Sequence, residues 1–249
     1  MDKVNNFGVY IRFDVKPLRR RIIPTGCGSL DELLGGGLPA DGVSLVYGEA
    51  ETGKTSLAVQ CTVNCARMNY KAIFIDSDGT FTPKRLSQIA YYDSEEISPQ
   101  IILMRPTSFE EQALVADHLD EYITERVGLI VVDTVTSLYR AELGGVQKEA
   151  FALNRELNRQ LACLAQIAKT RKIATLVTSQ VRSILAQESV GIEPVATRVL
   201  RFWCDTVLNL KHSGQTRVVR AVLEKHPERK KPESCYFRIE KTGICDYKG

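Results

Sequence analysis

The stretch that most restricts the fold of this chain is Gly48-Glu49-Ala50-Glu51-Thr52-Gly53-Lys54-Thr55, followed by Ser56. It fits the phosphate-loop pattern G-x-x-x-x-G-K-[ST] at every position. Such a loop lies between a strand and a helix. Val43-Ser44-Leu45-Val46-Tyr47 supplies an apolar strand before it, and residues 56–68 carry a helical pattern after it. Chance alone would place the pattern in a chain of this residue usage about 1% of the time. The chemistry explains each position. Glycines let backbone N–H groups turn inward around phosphate oxygens. Lys54 reaches the β- and γ-phosphates, and the Thr55 hydroxyl coordinates Mg²⁺. The helix that starts there points its positive end at the anion. Residues 48–56 are therefore the candidate nucleotide-binding residues.

About 80 residues later, Leu129-Ile130-Val131-Val132-Asp133 is an apolar strand ending in an acid. Alone this is a weak signal. Paired with a full phosphate loop, it makes Asp133 the candidate second magnesium residue beside Thr55, acting through water.

The rest of the chain alternates in the same way. Residues 72–75, 101–104 and 173–178 read as apolar strands, and residues 109–126 and 148–172 as helices. Continuous apolar strands separated by helices predict a parallel sheet buried on both faces. After about Asp205 the pattern shifts to alternation, which predicts antiparallel strands over 206–210, 216–223 and 235–240. The 249 residues suit one large α/β domain or two small ones. The lead-in, residues 1–24, is short and basic, and the core is expected over 25–249.

Composition sharpens this by exclusion. A net charge of +3 is too small to name a partner. No apolar run approaches the ~20 residues of a membrane span, and the N-terminus lacks the apolar core of a secretory signal. A cytoplasmic protein with no membrane partner is expected. The seven cysteines are odd in number and contain no Cys-x-x-Cys pair. That argues against a zinc ribbon or a disulfide framework. Cys61 and Cys65 read as buried small side chains in a reducing compartment.

Two further strand ends carry polar groups. Asp76 and Asp78 follow the 72–75 strand, and Gln180 follows Val177-Thr178-Ser179. Carboxyl ends of parallel strands are where such sheets bind ligands. A carboxylate there suits polarising an attacking water, and a polar side chain suits sensing the γ-phosphate. Turn and capping chemistry is the competing use for both acids.

These residues together resemble the RecA/RadA recombinase family. Thr25-Gly26-Cys27-Gly28-Ser29-Leu30-Asp31-Glu32-Leu33-Leu34-Gly35-Gly36-Gly37 is similar to the opening of its ATPase core. Phe74 to Arg85, Val132 to Leu138 and Thr178 to Val181 follow in the family's order, so the resemblance covers about residues 22–247. It implies a RecA-like core, with a mostly parallel central sheet flanked by helices and C-terminal antiparallel strands. It implies ATP and Mg²⁺ as ligands. By this resemblance Asp78 matches the water-activating carboxylate, Lys54 and Gln180 act with it, and Arg85 matches the arginine that stacks on adenine. Active members carry Glu where this chain has Asp78. The shorter arm displaces the carboxylate by about 1 Å, which can lower a rate ~10²-fold, so slow hydrolysis is expected.

The resemblance also implies DNA, single-stranded or branched, as a partner. Two loops would face it: residues 140–147 with Gly144-Gly145, and residues 182–198 with Gly191 and Pro194. They carry Arg140, Arg182 and Arg198 against Glu142, Glu188 and Glu193, a modest signal that a solvated loop matches almost as well. The turn at 226–232 corresponds to a hairpin near the neighbouring subunit's ATP, where Lys225 and Arg229 either act in trans or form a charged turn. Filament-forming members carry a Phe-x-x-Ala tether. This lead-in has Phe7-Gly8-Val9-Tyr10, and no helical DNA-binding domain is expected before it. The expected function is an accessory role in recombination and repair, with a RadA-type recombinase or other repair protein as partner, or a second copy of the chain. The alternatives are a KaiC-type regulatory ATPase or kinase acting on a protein, and a binding module whose ATP is only structural.

Overall fold

The computed structural model describes residues 21–143, 147–186, 189–194, 196–229 and 231–247. In chain order, β1 (Ile22–Ile23), α1 (Gly28–Leu33), β2 (Leu38–Pro39) and β3 (Val43–Gly48) precede the phosphate loop. Then come α2 (Lys54–Arg67), β4 (Lys71–Asp76), α3 (Pro83–Ala90), α4 (Ser94–Ile97) and β5 (Ile101–Met104). They are followed by α5 (Phe109–His118), β6 (Val127–Asp133), α6 (Ser137–Glu142), α7 (Gln147–Arg171) and β7 (Ala174–Ser179). A hairpin of β8 (Val181–Ala186) and β9 (Ser189–Pro194) leads to α8 (Thr197–Trp203). Four strands follow: β10 (Thr206–His212), β11 (Val218–Lys225), β12 (Glu233–Glu240) and β13 (Gly243–Asp246).

Nine strands make one sheet in the order β13-β12-β11-β10-β3-β7-β6-β4-β5. From β10 to β5 all neighbours are parallel. Parallel neighbours need crossover helices, and these cover both faces. That is why β3, β6 and β7 are buried at every position and read as unbroken apolar runs. One face packs α1, α2 and α3 around Leu30, Leu57 and Phe74. The other packs α5, α7 and α8 around Phe109, Leu161 and Leu200. Helix α7 buries Leu157, Leu161, Leu164 and Ala168, a helical stripe against that second face. The architecture is RecA-like, and the expected sheet and its C-terminal antiparallel strands are present.

Several boundaries differ from the sequence reading. The helix expected over 109–126 stops at His118, with one 3₁₀ turn over Leu119–Tyr122. Asp120 and Glu121 would sit at the negative end of a longer helix, where acids are unfavourable. Strand β10 is not wholly part of the antiparallel region. It pairs in parallel with β3 and antiparallel with β11. Residues 182–198, read as a loop, contain the antiparallel hairpin β8–β9 and the start of α8. Gly144, Gly145, Glu188, Lys230 and Phe7 to Tyr10 lie outside the described residues. Among those described, no helix is long and apolar enough to cross a membrane. All seven cysteines are free, and Cys61 and Cys65 lie buried on α2. Burial lifts the Cys65 thiol to about 12.

Candidate nucleotide site

The parallel strands bring their carboxyl ends to one edge. Register puts Asp76 beside Asp133, Tyr47 beside Ser179, and Leu210 beside Gly48. The phosphate loop, Asp78, Asp133 and Gln180 therefore share that edge.

Within the loop, Gly53 adopts φ 87° and starts α2. A Cβ there would also come within 3.0 Å of the Ile239 side chain. A Cβ at Gly48 would stand 2.3 Å from the Leu210 carbonyl oxygen. Close approach of β10 thus demands glycine at position 48, in addition to any phosphate. The Thr52 hydroxyl donates to the Glu49 carbonyl at 2.8 Å and braces the loop. Lys54 Nζ donates to the carbonyls of Gly48 (2.9 Å) and Glu49 (2.6 Å). Burial lowers the Lys54 pKa, while Asp133, Asp78 and Glu49 oppose that shift. The ammonium is held at the loop by carbonyl oxygens and nearby acids.

Asp133 is fully buried. Its Oδ1 accepts from the Thr178 hydroxyl, and the Thr55 hydroxyl lies close enough to favour its charged form. Yet Oδ2 is buried with no hydrogen-bond partner. Burial pushes the Asp133 carboxyl above the ordinary range, and Asp78 and Asp76 push the same way. A buried carboxylate oxygen without a donor is costly, and a cation beside it would remove that cost. Among the described residues, no group of three or more His, Cys, Asp or Glu is arranged to hold a metal ion by itself. Mg²⁺ needs none, because it binds through one or two protein oxygens plus waters and phosphates. Thr55 and Asp133 fit that description.

The two acids after β4 divide their work. Asp76 is buried and accepts from the Thr80 (2.9 Å) and Phe81 (3.1 Å) backbone N–H groups. Arg105 pairs with it at 3.4 Å and also donates to the Phe81 carbonyl. Asp76 thus has the capping role and fixes the turn that presents Asp78. Asp78 is exposed and close enough to influence both Lys54 and Asp133.

Arg85, on α3, reaches the first turn of α2. Its guanidinium donates to Ser56 Oγ (2.6 Å), the Lys241 carbonyl (2.9 Å) and Gln88 Oε1 (3.4 Å). Burial lowers its pKa. Gln180 Oε1 accepts from the Arg140 guanidinium. The structure therefore gathers Lys54, Thr55, Asp78 and Asp133, and brings Arg85 against Ser56. Lys225 and Arg229 stand apart from these. Lys225 Nζ caps α8 through the Arg201 (3.0 Å) and Cys204 (2.6 Å) carbonyls. Arg229 pairs with Glu233 and donates to the Glu32 carbonyl at 2.6 Å.

Sequence reasoning overlooked Thr178, the donor to Asp133, although it precedes Ser179-Gln180. It also overlooked Glu224, which accepts from Tyr47 (2.8 and 2.9 Å), Asn209 (2.9 Å) and Arg201. A polar residue inside a buried apolar run was the available signal for Thr178 and, through its bond to Asn209, for Glu224, since burial demands partners.

The sequence profile of the Rad51 family matches residues 19–247. The chain belongs to the Rad51 family. A DNA repair and recombination protein RadB from Methanococcoides burtonii is 34% identical over 230 residues, covering 92% of this chain and 100% of that one. The protein of the same name from Thermococcus onnurineus is 36% identical over 231 residues, covering 92% and 99%. A crystal structure of the RadB recombinase superposes with a TM-score of 0.77 at 33% identity, covering 91% of this chain and all of that one. Rad51-family membership thus agrees with the RecA-like sheet and with the recombinase resemblance in the motifs.

Proposed function

We propose that this protein is an ATP-binding, weakly hydrolysing RadB-type recombinase paralogue that binds DNA and assists homologous recombination and repair. The observation that carries the nucleotide reading is the buried, unpartnered Asp133 Oδ2 beside Thr55 and Lys54. Residues 48–56 hold the phosphates, with Lys54 on the β- and γ-phosphates. Thr55 and Asp133 hold Mg²⁺, which supplies positive charge against the phosphate oxygens. Asp78 orients the attacking water from a shortened arm. Arg85 faces the base, and Gln180 reads the γ-phosphate. Residues 25–249 form the ATPase core and residues 1–24 the lead-in.

DNA, single-stranded or branched, meets the chain near Arg140 and the β8–β9 hairpin. A RadA-type recombinase, another repair protein or a second copy is the protein partner. With Lys225 and Arg229 both engaged within the chain, action in trans requires them to be released. The lead-in departs from the Phe-x-x-Ala tether, which supports an accessory role over autonomous strand exchange. The Rad51-family match supports recombination over a KaiC-type kinase.

The test measures ATP turnover with and without single-stranded DNA, and DNA retardation with and without ATP across salt. Expected are slow turnover and binding that weakens with salt, with a slope of about −0.7 per phosphate contact for a single strand. No retardation at low salt would overturn the DNA reading. Unchanged nucleotide affinity in Lys54→Ala would overturn the site.

A further inference from the structure

The sensor side chain has a second residue behind it. Gln180 follows β7 at the carboxyl edge, half-buried, one residue beyond the pair Tyr47 and Ser179. The strand end is fixed, because Ser179 Oγ contacts Thr136 Oγ1 at 3.1 Å and donates to the Gln180 carbonyl at 3.0 Å. The carboxamide itself has two chemically opposite ends. One is an acceptor oxygen, and the other is an N–H₂ donor. Only the N–H₂ end can bond a phosphate oxygen.

Arg140 resolves which end points where. A guanidinium has donors and no acceptor, so its partner must be Gln180 Oε1. Among the described residues nothing else bonds this carboxamide, which leaves Nε2 and its protons to a ligand. Arg140 is itself held by a well-anchored element. Its backbone N–H bonds the Thr136 carbonyl at 3.0 Å within the α6 turn. The neighbouring Tyr139 is buried, stacks edge-on against Phe109 at 5.8 Å and bonds Asn154 at 3.2 Å. Glu142 closes the helix by accepting from the Phe109 backbone N–H at 3.1 Å.

We propose that Arg140 is a positioning residue for ATP recognition, orienting the Gln180 carboxamide so that its N–H₂ group faces the γ-phosphate. This rests on the nucleotide reading above. A flipped carboxamide would present its oxygen to a phosphate oxygen and repel it. Arg140 therefore contributes to the preference for ATP over ADP without touching nucleotide.

The full chain is titrated with ATP and ADP, each with Mg²⁺ and without DNA, and the ratio of the two dissociation constants is the readout. Gln180→Ala lowers the ATP preference about tenfold, the size of one hydrogen bond to a charged group. Arg140→Ala lowers it several-fold, with ADP affinity and thermal unfolding unchanged. Arg140→Lys, which restores a donor, recovers part of the preference. The double variant behaves as Gln180→Ala alone, because Arg140 acts only through that side chain. The proposal is overturned if Arg140→Ala weakens ADP and ATP equally, or if the double variant loses the sum of the two effects. A Gln180→Ala protein with full ATP preference also overturns it, while leaving the nucleotide site standing provided that Lys54→Ala abolishes binding. Loss of neither in Lys54→Ala would remove the site and the positioning role together.

Discussion

Asp133→Asn separates what this carboxylate does for the fold from what it does for the ligand. In the folded chain the carboxyl is fully buried, with Oδ1 on Thr178 and Oδ2 on nothing. Asparagine keeps an oxygen for Thr178 and replaces the lone charged oxygen with a neutral N–H₂. An unpaired buried polar group costs roughly 1–3 kcal/mol, more when charged. Relief of the charge is partly offset because Lys54 loses a favourable neighbour. The net expectation is a gain of about 1–2 kcal/mol at pH 7, or a Tm rise of roughly 2–8 °C for a chain of this size.

The sign with pH follows from the direction of the shift. Burial raises the Asp133 pKa in the folded chain above its unfolded value. The folded state therefore binds that proton more tightly. The associated stability is fully present below the unfolded pKa and is lost as pH rises through the folded one. The advantage of Asp133→Asn should accordingly be largest at neutral pH and shrink as pH falls into the carboxylate range. Thermal unfolding of both proteins without nucleotide, from pH 7 to pH 4, measures it. Comparing the two cancels the acid sensitivity of other pairs, such as Asp93 with Arg67, that both proteins share. In parallel, Mg²⁺-dependent ATP affinity should fall at least tenfold, or ~1.4 kcal/mol. A variant less stable than the parent at pH 7, or a difference independent of pH, would refute the reasoning.

Three other perturbations have definite outcomes. Asp78→Glu restores the longer carboxylate arm, and steady-state turnover should rise on the order of 10-fold or more; an unchanged rate sinks the shortened-arm account of slow hydrolysis. Arg85→Ala should weaken ATP several-fold but leave inorganic tripolyphosphate binding alone, with stability altered by less than ~1 kcal/mol; equal losses for both ligands would place Arg85 at the phosphates and not at the base. Glu224→Ala strips the acceptor from buried Tyr47 and from Arg201, so denaturant unfolding should show a loss of about 2–4 kcal/mol, and a neutral result would mean that water or a shifted side chain replaces the carboxylate.

The residues that the sequence made legible share a physical property. Gly53, Lys54 and Asp133 serve local needs, so their spacing carries the information: a left-handed turn, a helix start, an acid closing an apolar strand. The parallel sheet was equally legible, because burial on both faces leaves an unbroken apolar run in β3, β6 and β7. What stayed hidden depends on residues far apart in the chain. Arg140 meets Gln180 40 residues on, and Thr178 meets Asp133 45 residues back. Glu224 joins Tyr47 from 177 residues away. Likewise β10 could not be recognised as parallel on one side, since its partner β3 lies far upstream and alternation reports burial, not direction. The same distinction explains the two acids at the end of β4. Position at a strand end left Asp76 and Asp78 equal candidates for capping or chemistry, and it was the resemblance to the recombinase family that pointed to Asp78. Only the fold shows that Asp76 is consumed by Thr80, Phe81 and Arg105, whereas Asp78 is exposed and near Lys54 and Asp133.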